Sequence, residues 1–131
     1  MPNFITVAKV TDLKPGQAKM IMAGGHQIAL FNVGGVFYAT SNVCLHMGGP
    51  LGDGDLSDQI VTCPWHGWEY DVKTGECLTS PALKVQTYQV QVNGDEVQIA
   101  LWVHKKWLLL NLFEKHLWKV VTIKLLQSLL K

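Results

Sequence analysis

The strongest constraint on this chain is a set of four side chains, Cys44, His46, Cys63 and His66, grouped as two close pairs. One residue separates the members of the first pair, two residues separate those of the second, and sixteen residues lie between the pairs. Thiolates and imidazoles are both strong ligands of transition metals. The chain is therefore expected to fold so that two loops, each carrying one thiolate and one imidazole, meet at a metal centre.

Two kinds of metal centre suit this ligand set. In some [2Fe–2S] clusters two histidines replace two cysteines on one iron, which raises the reduction potential above that of an all-cysteine ferredoxin. Tetrahedral zinc also binds two cysteines and two histidines, but zinc motifs usually begin with two like ligands. Because each pair mixes cysteine with histidine, the spacing favours one [2Fe–2S] cluster, with Cys44 and Cys63 on one iron and His46 and His66 on the other. A structural zinc-binding module is the alternative.

Short strands and turns dominate the first hundred residues. Strand patterns cover residues 4–8, 26–33, 36–40, 90–92 and 97–101. Gly34-Gly35 and Asn93-Gly94-Asp95 are typical of hairpin turns, because glycine adopts positive φ at little cost. Between the hairpins, residues 41–83 are loop-like and carry both metal-ligand pairs. These patterns predict an all-β fold, a small antiparallel β-sandwich or barrel with a loop-built metal site.

The formal net charge of +1 conceals two regions of opposite charge. Residues 1–101 contain five lysines and nine acidic residues, a balance of −4, whereas residues 102–131 contain six lysines and one acidic residue, a balance of +5. The acidic region argues against a nucleic-acid partner and favours docking to a basic protein surface. The three cysteines do not resemble a secreted disulfide framework and no signal peptide is evident, so we expect a cytoplasmic location.

The basic tail, residues 102–131, has the pattern of an amphipathic helix. Its apolar residues recur at spacings of three and four: Leu109, Leu112, Phe113, Leu117, Val120 and Val121. Lys115, Lys119 and Lys124 exclude a transmembrane span. Three explanations remain open: the tail packs on the β-domain or dimerises with a second copy, it associates with a membrane surface, or it is an extension without a selected function.

The two ligand segments, Cys44–Leu51 and Cys63–Asp71 with Thr74-Gly75 after them, resemble the cluster loops of Rieske-type ferredoxins. The resemblance covers about residues 4–101, so we predict a Rieske domain over residues 1–101 followed by the helical tail over residues 102–131. It implies an antiparallel β-sandwich with a cluster-binding subdomain, in which the four paired residues ligate the cluster and the loop Ser80-Pro81-Ala82 covers it.

The same resemblance implies an electron carrier rather than an enzyme. Such a ferredoxin passes one electron from a ferredoxin reductase to an acceptor such as a multicomponent oxygenase acting on aromatic rings. The small Rieske subunit of a larger reductase, of the assimilatory nitrite reductase type, is the alternative. A self-sufficient oxygenase is excluded, because the chain has no length for a domain holding mononuclear iron.

Several residues depart from the cytochrome bc-type members of this family. Those proteins carry one additional cysteine in each loop, and the two cysteines form a disulfide. At the corresponding positions this chain has Gly49 and Trp65. Trp68 replaces a serine that donates a hydrogen bond to a bridging sulfur, whereas Tyr70 remains and is expected to donate to the sulfur of Cys63. Because hydrogen bonds to the sulfurs favour the reduced state, we expect a potential toward the low end of the range of about −150 to +300 mV.

The remaining cysteine and histidines are not expected to bind metal. Cys77 is predicted to be a small buried apolar residue. His26 lies in a predicted strand and is expected to be structural or to face solvent. His104 and His116 belong to the tail.

Overall fold

A computed structural model describes residues 2–102, and Asn3–Leu101 form one compact unit. Its strands are β1 (Pro2–Lys9), β2 (Ala18–Ala23), β3 (His26–Val33), β4 (Val36–Ser41), β5 (Asp55–Ser57), β6 (Ile60–Thr62), β7 (Glu69–Asp71), β8 (Thr87–Tyr88), β9 (Val90–Asn93) and β10 (Glu96–Trp102). Two 3₁₀ helices span Val10–Asp12 and Leu51–Asp53. The helix predicted in the tail lies outside the described residues. No helix in the described part of the chain is long and apolar enough to cross a membrane.

The strands form three sheets, with the strand orders β1-β10-β9, β2-β3-β4-β8 and β5-β6-β7. The pairs β2–β3, β3–β4, β4–β8, β5–β6, β6–β7 and β9–β10 are antiparallel. The predicted all-β, antiparallel architecture is therefore confirmed for the described residues.

Strand β3 is buried on both of its faces and separates two hydrophobic cores. Ile28 and Leu30 belong to the first core, and Ala29 and Phe31 belong to the second. Alternate residues of a strand point to opposite faces, which explains why four consecutive apolar side chains are all fully buried here. The first core lies against β10, and the second core lies beneath the two ligand loops.

Both predicted hairpins form at their glycine turns. The β3–β4 turn places Gly34 and Gly35 at φ of +59° and +95°, and the amide of Gly35 donates to Oδ1 of Asn32 at 2.8 Å. Gly94 turns β9 into β10 with a φ of +64°. Turns with positive φ match the twist of the flanking strands, so these glycines set the register of both hairpins.

Residues 41–83 contain more regular structure than the sequence pattern indicates. Strands β5, β6 and β7 form a small sheet within this region, with Val61 of β6 paired to Tyr70 of β7. Each strand has three residues, which is too short for an alternating pattern to be distinguished from a loop. This sheet forms the base of the second ligand loop.

Candidate metal centre

The first ligand loop lies between β4 and the 3₁₀ helix Leu51–Asp53. An antiparallel bridge between Val43 and Pro50 closes the loop at its base. The amide of Cys44 donates to the carbonyl of Gly49 at 2.9 Å, and the amide of Gly48 donates to the carbonyl of Cys44 at 2.8 Å. Gly48 adopts a φ of +79°, a conformation that glycine reaches without strain. The chain thus reverses tightly, with Cys44 at the base of the turn.

The second ligand loop repeats this backbone arrangement between β6 and β7. The amide of Cys63 donates to the carbonyl of Trp68 at 2.7 Å, and the amide of Gly67 donates to the carbonyl of Cys63 at 3.1 Å. Gly67 has a φ of +76°, close to that of the equivalent glycine in the first loop. Two loops of the same design therefore present their cysteines in the same way, although the histidine follows after one residue in the first loop and two in the second.

The two thiols lie inside the protein. Cys44 and Cys63 are both buried in the second core, and the neighbouring Cys44 thiol contributes to a raised pKa of Cys63. Burial raises the pKa of the Cys63 thiol, while hydrogen bonds from the backbone of Trp65 and His66 oppose the rise. A coordinated metal deprotonates such thiols, so this buried pair suits a metal ligand rather than a free thiolate.

The two imidazoles lie at the surface. His46 and His66 are exposed, and their ring centroids are 4.8 Å apart with an interplanar angle of 89°. The half-buried ring of Trp68 stacks on His46, with centroids 4.7 Å apart and planes inclined by 16°. One face of the first imidazole is therefore covered by a side chain from the opposite loop.

Tyr70 joins the two loops, but its hydroxyl contacts Cys44 rather than Cys63. The hydroxyl lies 3.2 Å from Sγ of Cys44 and accepts the amide of Leu45 at 3.0 Å. The predicted bond to Cys63 was wrong because Tyr70 and Cys63 share one hairpin, and the long tyrosine side chain crosses the core to the other loop. Burial raises the pKa of Tyr70 well above its usual value, so the phenol keeps its proton. A metal-bound thiolate has no proton to donate, so a ligating Cys44 would accept the hydrogen bond from this hydroxyl.

Gly49 provides space for the second cysteine. A Cβ atom at this position would lie 2.5 Å from Sγ of Cys63 and 3.2 Å from Cγ and Cδ2 of Trp65. Any side chain here would displace the thiol, so the sulfur and the indole of the second loop both rest against the backbone of the first. Sequence reasoning treated Gly49 as a departure from a disulfide-forming cysteine and missed this packing role.

The donors form two pairs rather than one tetrahedral set. Both thiols belong to the second core inside the protein, whereas the imidazole centroids lie 4.8 Å apart at its surface. Within residues 2–102, no three His, Cys, Asp or Glu side chains converge on a position for a single ion. A structural zinc site needs four donors around one centre, whereas a cluster of two irons with mixed ligation needs a thiolate pair and an imidazole pair. The residues present therefore fit the cluster.

The other cysteine and histidine predictions agree with the structure where it describes them. Cys77 is buried in the second core and its Sγ accepts the amide of Ser80 at 3.4 Å. His26 is solvent-exposed at the start of β3. His104 and His116 lie outside the described residues.

Comparison with known proteins decides which family has this geometry. The model of the Rieske [2Fe-2S] domain matches residues 3–89. The chain belongs to the Rieske [2Fe–2S] domain family. Membership implies a [2Fe–2S] cluster, and it confirms the resemblance inferred from the two loop motifs.

Three proteins illustrate what this chain is similar to in sequence or in fold. The ferredoxin component of the naphthalene 1,2-dioxygenase and salicylate 5-hydroxylase systems of Ralstonia sp. is 34% identical over 100 residues, which cover 76% of this chain and 96% of that protein. A chain in the complex of reduced oxygenase and oxidised ferredoxin of carbazole 1,9a-dioxygenase is 31% identical, with a TM-score of 0.69, covering 74% of this chain and 92% of that one. A nitrite reductase small subunit described from Mycobacterium tuberculosis shares the fold, with a TM-score of 0.74 at 24% identity, covering 79% and 99%.

The contact between Tyr70 and Cys44 gives the first testable prediction. Tyr70→Phe removes one donor to a sulfur that becomes more negative on reduction, so we expect a lower reduction potential. A loss of about 1 kcal/mol corresponds to about 40 mV for a one-electron couple. Spectroelectrochemical titration of both proteins measures the shift. Tyr88→Phe, a tyrosine packed on the first core, is the control and should leave the potential unchanged; an equal shift in both variants would contradict the assignment.

Proposed function

We propose that this protein is a one-electron carrier that holds one [2Fe–2S] cluster and passes electrons from a ferredoxin reductase to a terminal oxygenase. The observation that carries the proposal is the pairing of two buried thiols with two surface imidazoles. A buried side retains the cofactor, and an exposed side brings it close to a partner protein. No residue of the chain is proposed to be catalytic.

Each ligand has a separate task in this proposal. Cys44 and Cys63 hold the inner iron, and His46 and His66 hold the outer one. When bound, the cluster accepts and releases one electron. Around it, the Tyr70 hydroxyl would donate to the thiolate of Cys44, from which it lies 3.2 Å away, and the backbone of Trp65 and His66 favours the thiolate of Cys63 by lowering its pKa. These donors tune the potential, and the protein otherwise supplies access and a docking surface.

The partners are proposed from the proteins that this chain resembles. The Ralstonia protein is named as the ferredoxin component of a dioxygenase system, and the carbazole 1,9a-dioxygenase structure is a complex of ferredoxin with oxygenase. From the similarity to these two proteins we propose that the electron acceptor is an aromatic-ring oxygenase and that the electron donor is a reductase. We propose the cytoplasm as the location. In this proposal the oxygenase oxidises the substrate, and this chain only supplies the electrons.

A second candidate is a small subunit bound permanently to a larger reductase of the nitrite reductase type. The fold similarity to the Mycobacterium tuberculosis protein favours it, although at 24% identity that similarity concerns the fold alone. Size-exclusion chromatography of the native complex separates the two candidates. A carrier elutes without a large subunit, and a permanent subunit elutes with one.

Anaerobic redox titration of the holoprotein tests the proposed function directly. We expect two irons per chain, uptake of one electron, and an EPR signal that appears only on reduction. Zinc has no redox chemistry and would leave both measurements silent. Uptake of more than one electron per chain, or stoichiometric zinc in the native protein, would contradict the proposal.

A further inference from the structure

Four exposed apolar side chains lie beside the two exposed histidines in the ligand loops. Met47 follows His46 directly and is 63% exposed, and Trp65 precedes His66 directly and is 58% exposed. Val43 and Leu45 add two more exposed apolar side chains from the first loop. We call Val43, Leu45, Met47 and Trp65 the apolar collar. Large apolar side chains clustered at one functional surface indicate an interaction site.

The chain segments that contain and adjoin the collar residues also lack charged side chains. Residues 43–52, 60–68 and 77–83 contain no Asp, Glu, Lys or Arg. Glu69 neighbours Tyr70 on β7, and because strand side chains alternate, it points away from the side that contacts the cysteines.

The overall charge and the local surface therefore indicate different partners. The balance of −4 over residues 1–101 predicts a basic docking face, whereas the collar offers hydrophobic contact without charge. The local surface decides the contact, because an electron leaving through His46 or His66 requires the acceptor to cover those residues. Exposed charges further than about 10 Å from the contact are largely screened at moderate salt.

We propose that the acceptor protein docks on the apolar collar through an uncharged apolar face of its own, so that docking depends little on ionic strength. This proposal rests on the proposed electron-carrier function and specifies the kind of partner surface. Burial of Met47 and Trp65 stabilises the encounter, while the aromatic and thioether side chains adapt to the facing surface.

A second copy of the holoprotein serves as the probe, because its own collar is an uncharged apolar face. In electron self-exchange, one electron leaves the reduced copy and enters the oxidised copy with no net reaction. NMR line broadening in mixtures of the two forms gives the second-order rate constant as sodium chloride is raised. We expect the rate constant to change less than about twofold across the salt range, since no like charges meet.

Three variants locate the contact. Met47→Glu places two carboxylates face to face and should slow self-exchange about tenfold at low salt, with recovery at high salt. Met47→Gln removes apolar contact without adding charge, so it should slow the reaction with no salt dependence. Val92→Glu is the matched control, because Val92 is 50% exposed but lies on β9, in the sheet of the first core. It should leave the rate unchanged.

Two results would overturn the proposal: a wild-type rate that rises steeply with salt, or equal slowing by Met47→Glu and Val92→Glu. Both require a holoprotein that cycles between its oxidised and reduced forms. If the redox titration shows no such cycle, the proposed function itself fails, and the two failures are thereby distinguished.

Discussion

His66→Ala is expected to abolish retention of the [2Fe–2S] cluster. The proposed outer iron has two protein ligands, and removal of one leaves a single imidazole and an open, solvent-exposed position. Changes to residues that merely orient a ligand already cost about 10-fold to 100-fold in metal affinity, so loss of the ligand itself should exceed that range. Iron content, visible absorption and the EPR spectrum of the reduced protein measure the effect.

The chain provides a matched histidine as the control for this experiment. His26 is also exposed, at the start of β3, and belongs to neither ligand loop. His26→Ala should therefore retain full iron content and an unchanged spectrum. A His66→Ala protein with the wild-type spectrum would show that the ligand assignment is wrong, since His66 could then not bind iron.

Gly49→Ala is expected to prevent cluster assembly while leaving the β-sheets intact. The added Cβ would lie 2.5 Å from Sγ of Cys63, closer than real contacts allow, so the thiol must move out of its position. The backbone of Gly49 is not in the left-handed region, and the effect is therefore one of space rather than of conformation. Iron content after reconstitution and far-ultraviolet circular dichroism separate loss of the site from loss of the fold.

The adjacent glycine gives the opposite test. Gly48 has a φ of +79°, but a Cβ there would meet only Cγ1 of Val43, at 3.9 Å. Gly48→Ala should therefore lower the free energy of unfolding by about 1–2 kcal/mol through backbone strain and still bind iron. If Gly49→Ala assembled the cluster as well as Gly48→Ala did, the close contact with Cys63 would be refuted.

Much of the fold could be predicted because the relevant signals are local. Gly34-Gly35 and Asn93-Gly94 mark hairpins whose turn conformation depends on those residues alone, and both hairpins form. Strands β5, β6 and β7 were not predicted, because three residues are too few to display alternation. Their pairing depends on contacts between residues distant in sequence.

Individual side-chain contacts at the site could not be predicted, because a sequence motif does not specify the distances between side chains in the folded protein. The tyrosine following the second loop was expected to contact Cys63, but the structure directs Tyr70 across the core to Cys44. Likewise, Trp68 was identified as the replacement of a serine, and only the structure shows its ring stacked on His46. A side chain of that length can reach several neighbours, and packing selects among them.

Residue types and spacing were enough to predict the chemistry of this protein: mixed cysteine and histidine residues on two glycine-rich loops favour a [2Fe–2S] centre, and the same two loops carry the resemblance to the family. Ligand identity and spacing along a loop are properties of the chain alone. Three features could be seen only in the folded chain: the thiols are buried, the imidazoles are exposed beside the apolar collar, and Gly49 leaves room for Cys63. Those features arise where two loops that are distant in sequence meet at the second core, which also contains Ala29 and Phe31 of β3, and contacts of this kind leave no local pattern in the sequence.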